Sequence, residues 1–332
     1  MMPSASASVL QHHRRIMRAA WQGMRPAPRV ATSSFHTSRP VAAMNPSFEG
    51  AESSSSDSNS KGGYAALLRY SEQHSTPQPE KFATLHASSV EHYPSSADKT
   101  ISAMQGNFLT LLMRMTRPQV VLELGCFMGY SAMAMADGMP QDSVLYTCEL
   151  DSRAAQLARD LFEREGYNDQ GISQNRQLAK IELLEGDGLA SLQTLTKAKS
   201  NLKFDAVFID ADKGNYINYY NFIMDNDLLS DHGYILVDNA LFQGLVVHSP
   251  SQDDQTKKKG SLPSPPPSPR LDASSSDAEK QKTAVRYQKY ANHVDAFNRQ
   301  VAKDPRVDVV LLPVFDGLSV IMKKSEKKAT RS

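Results

Sequence analysis

No stretch of this 332-residue chain approaches 18 consecutive apolar residues, so no segment reads as a membrane-spanning helix. Cysteine is nearly absent. Two residues, Cys126 and Cys148, cannot make a disulfide framework, and a reducing compartment is the default. Charge of one sign is lacking too: 37 Lys and Arg stand against 36 Asp and Glu, a formal net of +1. That balance offers neither the basic field of a nucleic-acid binder nor an acidic interaction tail. The nine histidines form no metal cluster.

Local absences are more telling. The first 48 residues hold six arginines, seven serines, no lysine and no acid before Glu49. Leu10, Ile16, Met17, Ala20, Trp21 and Met24 share one arc of a helical wheel, and Arg14, Arg15, Arg18 and Arg25 fill the neighbouring arc. An Arg-rich, Ser-rich, acid-free amphipathic segment has the composition of a mitochondrial transit peptide. Residues 1–48 are therefore expected to direct the chain through the import machinery to the matrix; without that leader a cytoplasmic location follows. Outside the leader 31 basic residues face 36 acids, a net of −5, which disfavours nucleic acid further.

Residues 49–63 carry a serine run and read as a disordered linker. Residues 249–283 hold six of the eighteen prolines, Lys257–Lys259 and Ser274–Ser276, and read as a disordered Pro/Ser-rich insertion. What remains of residues 64–324 has the size of one ordinary α/β domain, followed by a tail over 325–332.

Within that domain, apolar runs at 119–124, 143–148, 180–184, 204–209 and 234–237 predict strands, and 307–312 and 318–322 predict two more joined as a hairpin. Helical spacing covers 105–115, 130–137, 152–165, 189–198, 216–229 and 284–302. The alternation predicts an α/β fold: a seven-stranded, mostly parallel sheet with helices on both faces and an antiparallel C-terminal hairpin strand. Ligands of such sheets bind outside the carboxyl ends of the strands.

Those ends carry the chemistry. After the first strand, Gly125 permits a tight turn and Gly129 opens a helix, so backbone amides face the crevice. A dinucleotide site needs glycine at position 127, and Phe127 argues against an NAD(P)-dependent oxidoreductase. Glu149 ends the second strand where an acid can accept both ribose hydroxyls, and Asp151 suits a helix cap better. Gly186–Asp187–Gly188 follows the third strand and allows a flat ring to approach, with Asp187 able to meet an adenine amine. Asp210, Asp238 and Asn239 follow the fourth and fifth strands. They offer three hard oxygen donors, which suit Mg²⁺ or another divalent cation. Lys213 stands one turn on, where cationic and desolvating neighbours would depress its pKa enough for proton abstraction. Tyr216, Tyr219 and Tyr220 read as helix packing.

Together, E-L-G-x-x-x-G-Y-S (123–131), D-A-D-K-x-x-Y (210–216) and V-D-N (237–239) resemble the cation-dependent O-methyltransferases of the caffeoyl-CoA and catechol type. Gln105–Gly106, Asp304–Pro305–Arg306 and Asp316–Gly317 support the resemblance. It implies a Rossmann-like fold and S-adenosylmethionine as cofactor, its methionine end held by Glu123, Gly125 and Ser131, with Asp210 also beside it. Glu149 is implied at the ribose and Gly186, Asp187 and Gly188 at the adenine. Asp210, Asp238 and Asn239 become metal ligands, Asp212 an acid behind them, and Lys213 the general base. The implied acceptor is a small vicinal diphenol. Plant members are dimers, so a homodimer is an expected assembly, whereas animal catechol enzymes are monomers. Residues 309–315 contain no acid where the animal enzymes carry a glutamate that contacts the acceptor. With the metal and lysine positions intact, a catalytically silent S-adenosylmethionine-binding scaffold is the weaker alternative.

Overall fold

The computed structural model describes residues 58–96, 99–168, 178–249 and 276–324, with side chains from Ala66 onward. The leader, most of the linker, residues 250–275 of the insertion and the tail lie outside the described residues. Two helices, α1 (Ser58–Gln73) and α2 (Glu80–His92), precede α3 (Ala103–Thr116). Then follow β1 (Val120–Leu124), α4 (Tyr130–Ala136), β2 (Val144–Glu149), α5 (Ser152–Arg164), β3 (Lys180–Glu185) and α6 (Gly188–Ala198). The second half runs β4 (Phe204–Ile209), α7 (Tyr216–Asp225), β5 (Leu229–Val237), a 3₁₀ segment (Phe242–His248), α8 (Asp277–Lys303), β6 (Val307–Leu312) and β7 (Leu318–Lys323). Among the described residues no helix is long and apolar enough to cross a membrane.

The seven strands lie in the order β3-β2-β1-β4-β5-β7-β6. The first five pair in parallel, and β7 runs antiparallel to both β5 and β6. Strand order reverses beside β1, which opens a crevice at the carboxyl ends of β1 and β4. Val121, Leu145 and Phe208 point to one face and meet Leu109, Met113, Met133 and Phe162 from α3, α4 and α5. Leu122, Val207 and Ile235 point to the other and meet Leu192, Tyr220, Ile223 and Phe297 from α6, α7 and α8. Burial on both faces is why these strands read as nearly continuous apolar runs. Each such side chain, fully buried, contributes roughly 1.5–3 kcal/mol, more than a surface ion pair.

The structure moves several expected boundaries. Helix α1 begins at Ser58, inside the stretch expected to be a disordered linker. Helix α8 begins at Asp277, not at 284, because Ser276 caps it: its hydroxyl accepts from Glu279 N, and the Glu279 carboxylate receives Ser276 N. The 249–283 insertion therefore ends in helix. Helix α7 stops at Asp225 rather than running to 229, since Leu229 is already paired with Phe204 at the start of β5.

One polar contact fixes α2. Lys81, 8% exposed, lies 2.7 Å from Asp137 at the end of α4 and donates to the Tyr167 hydroxyl at 2.7 Å. That anchor sets Tyr93, at the end of α2, over the mouth of the crevice.

Candidate functional site

A cavity of about 1080 Å³ occupies the carboxyl ends of the strands. Its inner wall joins the turn after β1, Glu149, Gly186–Gly188, the Asp210–Lys213 segment and Asp238–Asn239. Gly125 (φ 102°) and Cys126 both donate their N–H groups to Cys148 O, which ties the turn to β2. A Cβ on Gly125 would stand 2.3 Å from Asp210 O, so only glycine lets this turn lie against the end of β4. Phe127 adopts φ 49° and donates its N–H to Glu149 Oε2 at 2.6 Å, while Asp151 N donates to Oε1 at 2.8 Å. Glu149 thus joins the β1 turn to the end of β2 from the cavity wall. Asp151 caps α5, accepting from Ala154 N at 2.9 Å, and also receives the Tyr93 hydroxyl at 2.8 Å. The Tyr93 ring packs edge-on against Phe127, so α2 closes this side.

After β3, Gly186 (φ 131°) donates to Glu149 O, and Asp187 caps α6 through Ala190 N at 2.9 Å. Ser131 lines the cavity. Glu123, expected at the methionine end of the cofactor, is fully buried and does not itself line the cavity; Thr147 donates to its Oε2, and the cavity-lining Ser131 is a second hydrogen-bond partner. Burial pushes its carboxyl up to about 8.

The strand-end acids come together around one ammonium. Lys213 Nζ donates to Asp210 Oδ1 at 3.0 Å, to Asn239 Oδ1 at 2.7 Å and to the Tyr216 hydroxyl at 2.6 Å. Tyr216 in turn donates to Asp238 O at 3.0 Å. Asp238 is 2% exposed, and burial, reinforced by the charge of Asp210, pushes its carboxyl up to about 8. Desolvation likewise raises Asp210. The sequence-based expectation for Lys213 is reversed. Burial acts to lower its pKa, but Tyr216, Asp210 and Asp238 together outweigh it and hold the ammonium protonated, above the usual lysine range. Its neighbours are anionic or polar, not cationic.

The donors fit a divalent cation in type. Asp238 is buried and Asp210 half-buried, and Lys213 bonds the carboxylate of Asp210 but not that of Asp238, which gathers more acid oxygens than cations in a desolvated place. Among the described residues no three His, Cys, Asp or Glu side chains converge on a metal position, so the set depends on the Asn239 carboxamide as third donor. Asp212 is engaged elsewhere, receiving Tyr219 at 2.9 Å and Asn215 Nδ2 at 2.7 Å. Tyr219 also lines the cavity; Tyr216 and Tyr219 tie the strand-end residues Asp238 and Asp212 to α7, and Tyr220 ties it to Asp304 at the end of α8.

Sequence reading missed the outer wall. Phe242 and Gln243 from the 3₁₀ segment, Arg286 and Tyr290 from α8, and Phe315 and Asp316 from the β6–β7 connection all reach the cavity. The Phe242 ring lies 5.8 Å from Tyr287, tilted, and 6.1 Å from Tyr290, edge-on, forming an aromatic rim of the cavity. No periodicity marks these positions. The one available signal was Asp316 before Gly317, an acid where the chain turns.

Comparison with known proteins bears on the family and the fold. Residues 72–324 match the family model described as O-methyltransferase. The O-methyltransferase ankF of Aspergillus thermomutatus is 30% identical over 260 residues, 78% of this chain and 92% of that protein. Caffeoyl-CoA O-methyltransferase 5 of Nicotiana tabacum is 30% identical, over 73% of this chain and 84% of its own. Among solved structures, the SAH-bound methyltransferase PaMTH1 of Podospora anserina superposes with a TM-score of 0.62 at 27% identity, covering 82% of this chain and 99% of that one.

Proposed function

This chain belongs to the O-methyltransferase family, and we propose that it methylates one hydroxyl of a small vicinal diphenol of the catechol or caffeoyl kind. It is an S-adenosylmethionine-dependent enzyme of the caffeoyl-CoA O-methyltransferase type. The observation that carries the finer reading is the convergence of Asp210 and Asn239 on Lys213 within the cavity that Glu149 also lines.

In this reading, Glu149 takes the ribose hydroxyls, Gly186–Gly188 the adenine, and Gly125 and Ser131 the methionine end. Asp210, Asp238 and Asn239 would hold a divalent cation, which when bound supplies Lewis acidity toward a phenolic oxygen. Lys213 stands within reach of the same position and would accept the phenolic proton at Nζ as the neutral amine, once a cation on Asp210 and Asn239 has displaced its hydrogen bonds and its own proton has passed to solvent. The aromatic rim of Phe242, Tyr290 and Phe315 orients the acceptor ring and excludes water from the transfer. The acid-free, Arg-rich first 48 residues support the further reading that the enzyme works in the mitochondrial matrix.

Methyl transfer from labelled S-adenosylmethionine across a panel of ortho-, meta- and para-diphenols, with Mg²⁺ or with EDTA, tests the proposal. Labelled product from ortho-diphenols alone, lost with EDTA and regained with Mg²⁺, is the expected outcome. Full activity in EDTA overturns the cation, and equal activity on meta-diphenols overturns the acceptor class.

Glu149 gives a second test. Glutamine there keeps one accepting oxygen but turns an amide toward either Phe127 N or Asp151 N, both of which the carboxylate now receives. Hydrogen bonds to a charged group are worth about 1.5–3 kcal/mol, so Glu149→Gln is expected to weaken S-adenosylmethionine binding by roughly 10- to 100-fold in isothermal titration. A dissociation constant unchanged within twofold removes Glu149 from the cofactor site.

A further inference from the structure

Asn239 is the weakest candidate ligand on chemical grounds, because a carboxamide can present either its oxygen or its nitrogen. What decides the matter lies 77 residues away in sequence. Asp316, buried at the end of the β6–β7 connection, receives Gln243 N on Oδ1 and Asn239 Nδ2 on Oδ2, the latter at 3.3 Å. The two segments are laced by backbone as well: Ala240 N donates to Gly317 O and Leu241 N to Asp316 O, each at 2.9 Å. Both are wound tightly. Phe315, Asp316 and Gly317 have φ of 56°, 81° and 92°, and Asn239, Phe242 and Gln243 have 52°, 43° and 56°. Non-glycine residues hold such conformations only where their surroundings dictate them, and here each segment dictates the other.

We propose that Asp316 is a positioning residue that fixes the Asn239 carboxamide with its oxygen toward the site. The inference rests on reading Asp210, Asp238 and Asn239 as a divalent-cation site and adds the device that makes its third ligand an oxygen donor. With Nδ2 given to a carboxylate, Oδ1 must face inward. Lys213 enforces the same orientation from the other side, by donating to Oδ1. Once that oxygen is given to another cation, Asp316 is the partner that still holds the nitrogen end. Loss of an outer partner of this kind typically costs roughly 10- to 100-fold in metal affinity.

An exchange of the pair tests this on the full chain. In Asp316→Asn, one oxygen remains for Gln243 N, but an amide then faces the Asn239 amide. Asn239→Asp sets two carboxylates against each other. The double variant restores one donor and one acceptor and leaves an oxygen turned inward. In isothermal titration with Mn²⁺, Asp316→Asn is expected to weaken binding by about tenfold or more, and the double variant to return to within about threefold of the parent. Thermal unfolding without metal gives an independent readout: Asp316→Asn lowers Tm in the parent and raises it in the Asn239→Asp background. If Asp316→Asn alone does not fold, the comparison of Asn239→Asp with the double variant still decides. An effect of the same sign in both backgrounds, or a double variant no better than Asn239→Asp, reduces Asp316 to a loop brace and overturns the proposal. A parent protein that binds no Mn²⁺ overturns the cation reading and the inference together, and is told apart by failing before any substitution is made.

Discussion

Asp210→Ala is expected to lower kcat/KM for an ortho-diphenol by about a thousandfold or more, which corresponds to about 4 kcal/mol of transition-state stabilisation. Asp210 belongs to both halves of the site: it ends β4 against the Gly125 turn, and its carboxylate holds Lys213. Its loss removes a hard oxygen donor and unfastens the candidate base. The fold should survive, because the side chain is a desolvated carboxylate beside another, Asp238, and removing one relieves their repulsion. The expected result is therefore a large kinetic loss with Tm unchanged or higher, measured by initial rates and thermal unfolding on one preparation. Turnover within tenfold of the parent eliminates Asp210 from the reaction.

The second large effect concerns stability and site together. Gly125→Ala places a Cβ 2.3 Å from Asp210 O at a φ of 102°, and the obstacle is backbone, which cannot swing aside. A strained conformation costs about 1–3 kcal/mol by itself, and forcing the turn from β4 adds to it, for a total of about 3 kcal/mol or more. Gly244→Ala is the matched comparison: φ is 75°, yet nothing lies within 4 Å of the added carbon, so a loss of about 1 kcal/mol is expected. Urea titrations of the two variants separate backbone strain from collision. Similar losses at both positions show that Gly125 is needed for its φ alone.

These residues also show how far the sequence could be read. Asp210 and Asp238 were visible because each stands directly after an apolar run, and a parallel sheet brings such ends to one edge. Gly125 was visible as a turn, although its collision partner on β4 was not. The protonation of Lys213 depends on Tyr216 and Asp210, each three residues away, and on Asp238, which β5 brings beside it and which no spacing rule encodes. Glu123 lies in a motif beside the cavity yet turns into the protein, a matter of strand pleat at a single position. The cap of α8 was written plainly as Ser276 and Glu279, but the proline and serine before it masked the signal. The contact of Asp316 with Asn239 joins two connections that share no local pattern.

The place of β7 carries one more consequence, for the order of assembly. The loop bearing Asp238 and Asn239 is made when most of the sheet exists, but its far support arrives last: β7 fills the open edge of β5, and Asp316 and Gly317 accept from Leu241 and Ala240. Until β7 joins the sheet, the cofactor side around Gly125 and Glu149 has all its partners, whereas the Asp238–Asn239 loop is held from the side of Lys213, Tyr216 and Asn298 but not yet from that of Asp316 and Gly317. The cofactor half of this enzyme can thus assemble first, and the half expected to activate the acceptor is completed only when β7 docks.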